Sequence, residues 1–250
     1  MRYFVELSYK GTDYNGWQRQ ADAPTVQAAL EDALSMLLRA EITVTGAGRT
    51  DTGVHAAYYV AHFDAPAVFD VADDDFIYHL NAVLPHDIAV FGITPVADDA
   101  HARFDARERE YKYYIIRQKD PFRRDTAWLY SGANLDVEEM NRAASALLVT
   151  DDFTTFSKLH SGNKTNICRV THAEWHDEQG GAVFTIRADR FLRNMVRSIV
   201  AALVDVGRGK ITAERFAEIL AARDRSLASG SAPAQGLFLS NIIYTAHIRM

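Results

Sequence analysis

Apolar and polar residues roughly alternate from Arg2 to Tyr9, the two-residue period of a half-buried strand. Gly11 to Pro24 has no period and reads as a loop. Thr25 then precedes Val26, Leu30, Ala33 and Leu37, apolar positions at helical spacing behind a residue type that caps helix N-termini. Glu41 to Thr45 and Val54 to Asp64 read as strands, Asp73 to Leu80 as a short helix, and Ile88 to Val96 as a strand. The resulting order, β-α-β-β-α-β, is that of a ferredoxin-like unit.

The second half repeats this order with one helix more. Glu108 to Gln118 reads as a strand, and Asp136 opens a helix with Glu139 at the capping-box position and Met140, Ala144 and Leu147 on one face. Strands follow at Cys168 to Glu178 and Gly181 to Ala188, then helices at Phe191 to Val206 and Thr212 to Arg223, and a last strand from Leu237 to Ile248. The pattern predicts an α+β fold of two ferredoxin-like halves, 1–106 and 107–250, each an antiparallel sheet covered by helices on one face. The repeat is one of pattern only, and the plainer alternative is a single large α+β domain.

Composition narrows the class. With 250 residues, 48% of them apolar and 24% charged, the chain has the balance of a globular protein with a sizeable core, which excludes disordered and fibrous classes. Cys168 is the only cysteine, so an intramolecular disulfide or a thiolate-rich zinc site is excluded and a reducing compartment, by default the cytoplasm, is expected. Glu6 stands where a signal peptide would need an apolar stretch, and the apolar run Ile199 to Val204 is too short to span a bilayer, so neither secretion nor membrane insertion is expected.

Charge changes the picture. The net charge of −6 argues at first against a nucleic-acid partner. Its distribution argues the other way. Asp64 to Asp99 contains eight acids and no Lys or Arg, whereas Arg103 to Arg124 and Arg187 to Arg215 are rich in cations, and Lys158, Lys164 and Arg169 lie in a stretch without acids. A basic groove on an acidic body would give this polarity, although charge runs are more often solvated faces. Aromatics interleave with cations at Tyr111-Lys112-Tyr113-Tyr114, the mixture that stacks bases and holds phosphates.

The segment Gly46-Ala47-Gly48-Arg49-Thr50-Asp51-Thr52-Gly53-Val54-His55-Ala56 is where chemistry is expected. Its glycines permit backbone paths closed to other residues, and it displays Arg49, Asp51 and His55 among small neighbours. Asp51 as a catalytic carboxylate and a plain Asp-Gly turn are comparable readings on physical grounds. Asp51 and His55 as metal ligands are a weaker third, for want of companion ligands.

Here the sequence resembles the tRNA pseudouridine synthase A family. Tyr9-Lys10-Gly11-Thr12-Asp13-Tyr14-Asn15-Gly16-Trp17-Gln18 is similar to its N-terminal signature, and Gly48 to Ala56 to its catalytic loop. Arg103-Phe104-Asp105-Ala106 with Tyr111-Lys112-Tyr113, then Asp152 to Phe156, Phe191 to Arg197, and Gly236-Leu237-Phe238-Leu239 resemble its remaining blocks in order, across nearly the whole chain. Thr52 departs from the pattern, since members more often carry Ala or Lys beside the aspartate.

The resemblance implies isomerisation of uridine to pseudouridine at positions 38, 39 and 40 of the tRNA anticodon stem-loop, in a cleft between the two halves of a homodimeric enzyme that needs no cofactor and no metal. It implies that Asp51 is the catalytic aspartate, that Arg197 keeps it ionised, and that Tyr111 stacks on the flipped uracil and handles the C5 proton. Arg49 would help extrude the target nucleotide, and Leu237 would pack on its base. Arg109, Lys112, Arg190 and Arg193 would hold tRNA. On a helix turning about 100° per residue, Leu192, Met195, Val196, Ile199 and Leu203 form one stripe, with Arg190, Arg193 and Arg197 together on its flank. His55 is expected to be structural. Two rivals remain: a non-catalytic RNA-recognition module, which shares the β-α-β-β-α-β order but has no use for a carboxylate beside phosphates, and a metal-dependent hydrolase built on Asp51 and His55.

Overall fold

A computed structural model describes residues 1–65, 73–132, 134–158, 164–178, 180–228 and 230–244. The chain divides into two compact units, Met1–Arg107 with Leu239–Met250, and Glu108–Phe238. The sequence pattern places the last strand with the second half; in the structure most of it belongs to the first unit. Part of the acid-only stretch (66–72) and the expected end of the last strand (245–248) lie outside the described residues.

The first unit holds β1 (Arg2–Tyr9), α1 (Val26–Leu38), β2 (Val44–Gly46), β3 (His55–Asp64), α2 (Asp74–Val83) and β4 (Ile88–Val96), in the expected order. β1 lies antiparallel between β3 and β4, and β2 is antiparallel to β3. Thr25 caps α1, its side chain accepting from Ala28 N–H at 3.3 Å. Val26, Leu30, Ala33, Leu34 and Leu38 make the buried face of that helix. A carboxylate is buried with them. Glu31 accepts from the Gln27 amide at 2.8 Å, Val44 N–H at 2.9 Å and Arg19 Nε at 2.5 Å, so its charge and lone pairs are satisfied.

The second unit holds most of β5 (Ala106–Ile116), then β6 (Trp128–Leu129), α3 (Val137–Ala144), β7 (Val170–Glu178), β8 (Gly181–Ala188), α4 (Met195–Gly207) and α5 (Ala213–Ala221), and β9 (Leu237–Tyr244) begins in it and continues in the first unit. β8 lies antiparallel between β5 and β7, and the short β6 runs parallel to β5. Asp136 caps α3 by accepting from Glu139 N–H at 3.0 Å, and Thr212 caps α5 through Arg215 N–H at 3.2 Å. The fold is α+β with a mostly antiparallel sheet. No described helix is long and apolar enough to cross a membrane.

One expected element is corrected. The helix anticipated from Phe191 begins at Met195, because Asn194 takes the left-handed conformation, with φ of 63°. A residue there cannot continue a right-handed helix, and Asn is among the few non-glycine types that tolerate it. The Asn194 amide donates to Ser198 Oγ at 3.0 Å and Ser231 Oγ at 2.5 Å, which fixes the reversal. Arg190 and Arg193 therefore precede α4 and share no helical flank with Arg197. The apolar stripe stands, with Leu192, Met195, Val196, Ile199 and Leu203 all buried.

Candidate active site

The loop between β2 and β3 presents Asp51. Thr50 N-terminal to it is buried, its hydroxyl 2.8 Å from Tyr9 Oη, while its carbonyl accepts from Trp17 N–H at 3.3 Å. Asp51 itself is partly exposed at the start of a turn closed by Val54 N–H donating to the Asp51 carbonyl at 3.1 Å. Gly53 supplies the positive φ, 76°, that the turn needs, and its N–H donates to the Tyr14 carbonyl at 3.3 Å. Thus the carboxylate is displayed while the backbone on either side of it is tied to the segment 9–17.

Two glycines of that segment make the tie close. A Cβ on Gly11 would lie 2.0 Å from the Val54 carbonyl oxygen, and one on Gly16, whose φ is 88°, would lie 2.3 Å from that of Thr50. Beneath the loop, Trp17 stacks on Tyr59 at 4.1 Å between ring centroids and Tyr9 meets Tyr59 edge-on at 5.6 Å. The Tyr59 hydroxyl donates to the Gly48 carbonyl. The sequence singled out 9–18 as a motif without a role; its role in the structure is to scaffold the Asp51 loop. Glycines at 11 and 16 were the available signal, but their contacts are some 40 residues away in the chain.

Arg49 is exposed beside Asp51, its Nε donating to Gln18 Oε1 at 3.3 Å. His55 is fully buried and its Nδ1 accepts from Gly11 N–H at 2.9 Å, so that lone pair is engaged by the scaffold. Among the described residues, no group of three or more His, Cys, Asp or Glu is arranged to hold a metal ion.

The other expected site residues lie in the second unit. Tyr111 is partly buried on β5 opposite Ile186 and meets Phe191 edge-on at 5.0 Å. Arg109, two residues earlier, faces Ala188, and its Nη1 donates to the Asp189 carbonyl at 2.8 Å. Lys112 faces Thr185 on the opposite side of the strand. Between them, Glu110 is buried and paired with Arg187 at 2.5 Å, which neutralises one of the two carboxylates of β5, the other being Glu108. Arg190 and Arg193 follow β8, Arg193 exposed and Arg190 partly so. The cations that the sequence assigns to RNA thus gather at the N-terminal end of β5 and the C-terminal end of β8.

Arg197 stands in the first turn of α4 and holds the segment before β9. Its Nε donates to the Ala232 carbonyl at 2.7 Å, and its own carbonyl accepts from Ala232 N–H at 3.0 Å. The Tyr113 hydroxyl donates to the Pro233 carbonyl at 2.8 Å, and a Cβ on Gly236 would lie 2.6 Å from its ring. Burial pushes the Tyr113 phenol above its ordinary value, against the pull of the Arg197 charge, so it stays a donor. Leu237, which this segment delivers to β9, is 6% exposed.

The family model described as tRNA pseudouridine synthase matches residues 7–105 and 143–245. A tRNA pseudouridine synthase A of Bacteroides thetaiotaomicron is 52% identical, over 99% of this chain and 92% of its own length. That of Porphyromonas gingivalis is 48% identical over 99% and 98%, and that of Bacillus subtilis 39% identical over 98% and 99%. The chain belongs to the tRNA pseudouridine synthase family. It is accordingly an isomerase that converts uridine to pseudouridine in tRNA. The match includes the whole Asp51 loop and its 9–17 scaffold, so the interlocked geometry of the first unit lies within the family's shared region. Residues 106–142, with Arg109, Tyr111 and Lys112, fall in the gap of the family model, though the nearly full-length relatives span them.

Proposed function

We propose that the chain isomerises uridines 38, 39 and 40 of the tRNA anticodon stem-loop, with Asp51, Tyr111 and Arg197 as its catalytic residues. The observation that carries this is the display of Asp51 on an immobilised turn, in a chain whose family rearranges uridine. In the reaction the C1′–N1 bond breaks, the uracil turns, C1′ bonds to C5, the C5 proton leaves and N1 gains one. No electrons are transferred and no water is consumed, so the chemistry asks only for a nucleophile or base and a proton carrier.

Asp51 is the ionised carboxylate, acting on the sugar or the base. Arg197 supplies the positive charge that keeps such a carboxylate ionised when RNA excludes water. Tyr111 stacks on the uracil and takes the C5 proton, and Leu237 packs on the same base. Extruding a paired or stacked nucleotide costs a few kcal/mol, and Arg49 fills the space it leaves. Arg109, Lys112, Arg190 and Arg193 hold phosphates around the target. The enzyme acts in the cytoplasm as a homodimer, with the halves 1–106 and 107–250 contributing the aspartate and the tyrosine respectively.

The test is tritium release from tRNA labelled at C5 of uridine. Wild type is expected to release tritium, and Asp51→Ala to release none while binding tRNA as well as wild type. Release by Asp51→Ala at the wild-type rate would remove Asp51 from the chemistry.

A further inference from the structure

The loop between β5 and β6 carries an exposed aromatic that the core does not use. Phe122 is 93% exposed. Its position is nonetheless defined: its N–H donates to Asp120 Oδ1 at 2.8 Å, Arg123 N–H to the Asp120 carbonyl at 3.3 Å, and Thr126 N–H to the Arg123 carbonyl at 3.1 Å. Two consecutive turns, anchored by buried Ala127 and the β5–β6 pairing, hold the ring out in solvent.

Its neighbours in the chain are basic. Lys119 and Arg124 are exposed, and the Arg123 guanidinium lies 5.6 Å from the Tyr114 ring centroid. Of the loop's own two carboxylates, Asp120 caps a turn and Asp125 lies 3.3 Å from Arg124, and the Glu178 charge opposes that of Arg123 at Tyr114. Lys119, Arg123 and Arg124 outnumber those two by one, so the loop presents an exposed ring on a segment with a small excess of positive charge. That combination suits an unpaired base with its phosphates, and it suits a purely apolar protein partner poorly.

Five strand steps of about 3.3 Å put Ile116 about 17 Å from Tyr111 along β5, and the loop lies beyond Ile116. With Tyr111 at the reacting uracil as proposed above, a ligand at Phe122 is neither that nucleotide nor its immediate neighbour in the same subunit's site. We propose that the 117–124 loop is a second tRNA contact, in which Phe122 stacks on a base outside the anticodon arm while Lys119 and Arg124 hold adjoining phosphates. This rests on the tRNA-modifying function proposed above and extends it from the reacting nucleotide to the body of the substrate.

The test compares full-length tRNA with the isolated anticodon arm, both labelled at C5, using Phe122→Ala, Phe122→Trp and the Lys119→Gln, Arg124→Gln double variant. For full-length tRNA, Phe122→Ala is expected to raise Kd about tenfold, with Phe122→Trp restoring it, and the double variant to flatten the log–log salt dependence by about 1.5. Kd for the isolated arm is expected to stay within twofold. An unchanged Kd for full-length tRNA, an equal loss with both ligands, or a shift of oligomeric state in Phe122→Ala by light scattering would each overturn the proposal. Absence of tritium release by wild type from both substrates would instead overturn the function on which it rests.

Discussion

Around Asp51 the chain is held mainly by close backbone approach, with Gly11 on Val54, Gly16 on Thr50, and Gly53 N–H on Tyr14, whereas around Arg197 one backbone bond, from Ala232 N–H, is joined by side chains reaching to carbonyls, Arg197 to Ala232 and Tyr113 to Pro233. The first arrangement leaves no room for adjustment, because a displaced backbone atom moves everything attached to it. The second can lose one bond and keep its path. On the function proposed above, the Asp51 carboxylate belongs on the first kind of support, since misplacement of a reacting group by about 1 Å is costly in rate. A segment that would only pack against the base, as proposed for Leu237, can tolerate the second.

The largest effect expected from this contrast is at Gly16. Gly16→Ala adds a Cβ 2.3 Å from a backbone oxygen and forces an L side chain to a φ of 88°, so a loss of about 4 kcal/mol is expected by chemical denaturation. Within the same loop Gly48→Ala is the control. Its Cβ meets nothing within 4 Å and its φ is not positive, so stability is expected to hold or rise by about 0.5 kcal/mol. Equal losses at 16 and 48 would mean that loop entropy, not backbone contact, sets the cost.

Next in size is a pH effect confined to the first unit. His62 on β3 is buried, and burial together with the nearby Arg2 charge lowers its pKa to about 4, while its Nδ1 accepts from Ala102 N–H at 3.1 Å. The folded state thus resists a proton that the unfolded chain takes up below about 6.5. Stability from this group is present above pH 6.5 and falls as pH drops from there toward 4, by up to about 3 kcal/mol. Unfolding free energies measured from pH 7 to 4.5 are expected to decline, and His62→Gln to flatten that decline. A slope unaltered in His62→Gln would assign it to the carboxylates instead.

How much of this was legible differs between the units for a physical reason. β1, β4 and β8 lie where alternation places them, and the caps Thr25 and Asp136 were visible because capping is a local bond. The start of α4 was not, since periodicity runs through Leu192 and only the left-handed Asn194, pinned by Ser231 far along the chain, stops the helix. Likewise Asp51 stood out by its neighbours in sequence, while the support of its loop by Gly11, Gly16 and Tyr59 is a matter of long-range packing that no window contains. The 117–124 loop read only as part of a charge run; the exposure of Phe122 needed the fold.

Smaller effects are expected on the side-chain-held segment. Tyr113→Phe removes one bond to Pro233 and leaves its carbonyl on a partly exposed residue, so a cost of about 1 kcal/mol is expected. Faster amide exchange should then appear in 231–238 and not in 46–56. Equal exchange in both would break the comparison between the two supports.

The smallest effect on stability, and a clear one on binding, is expected at the cations of β5. Arg109 donates to the Asp189 carbonyl, and Lys112 points from the strand face opposite Tyr111. Replacing Arg109 or Lys112 by Ala should change unfolding free energy by no more than about 0.5 kcal/mol. If each neutralises one phosphate, each replacement should reduce the log–log salt slope of tRNA binding by about 0.7 to 0.9. For these two residues the slope should fall equally for full-length tRNA and the isolated anticodon arm, which separates them from Phe122 and its neighbours. A slope that stays at the wild-type value would make them solvated strand cations and leave phosphate binding to Arg190 and Arg193.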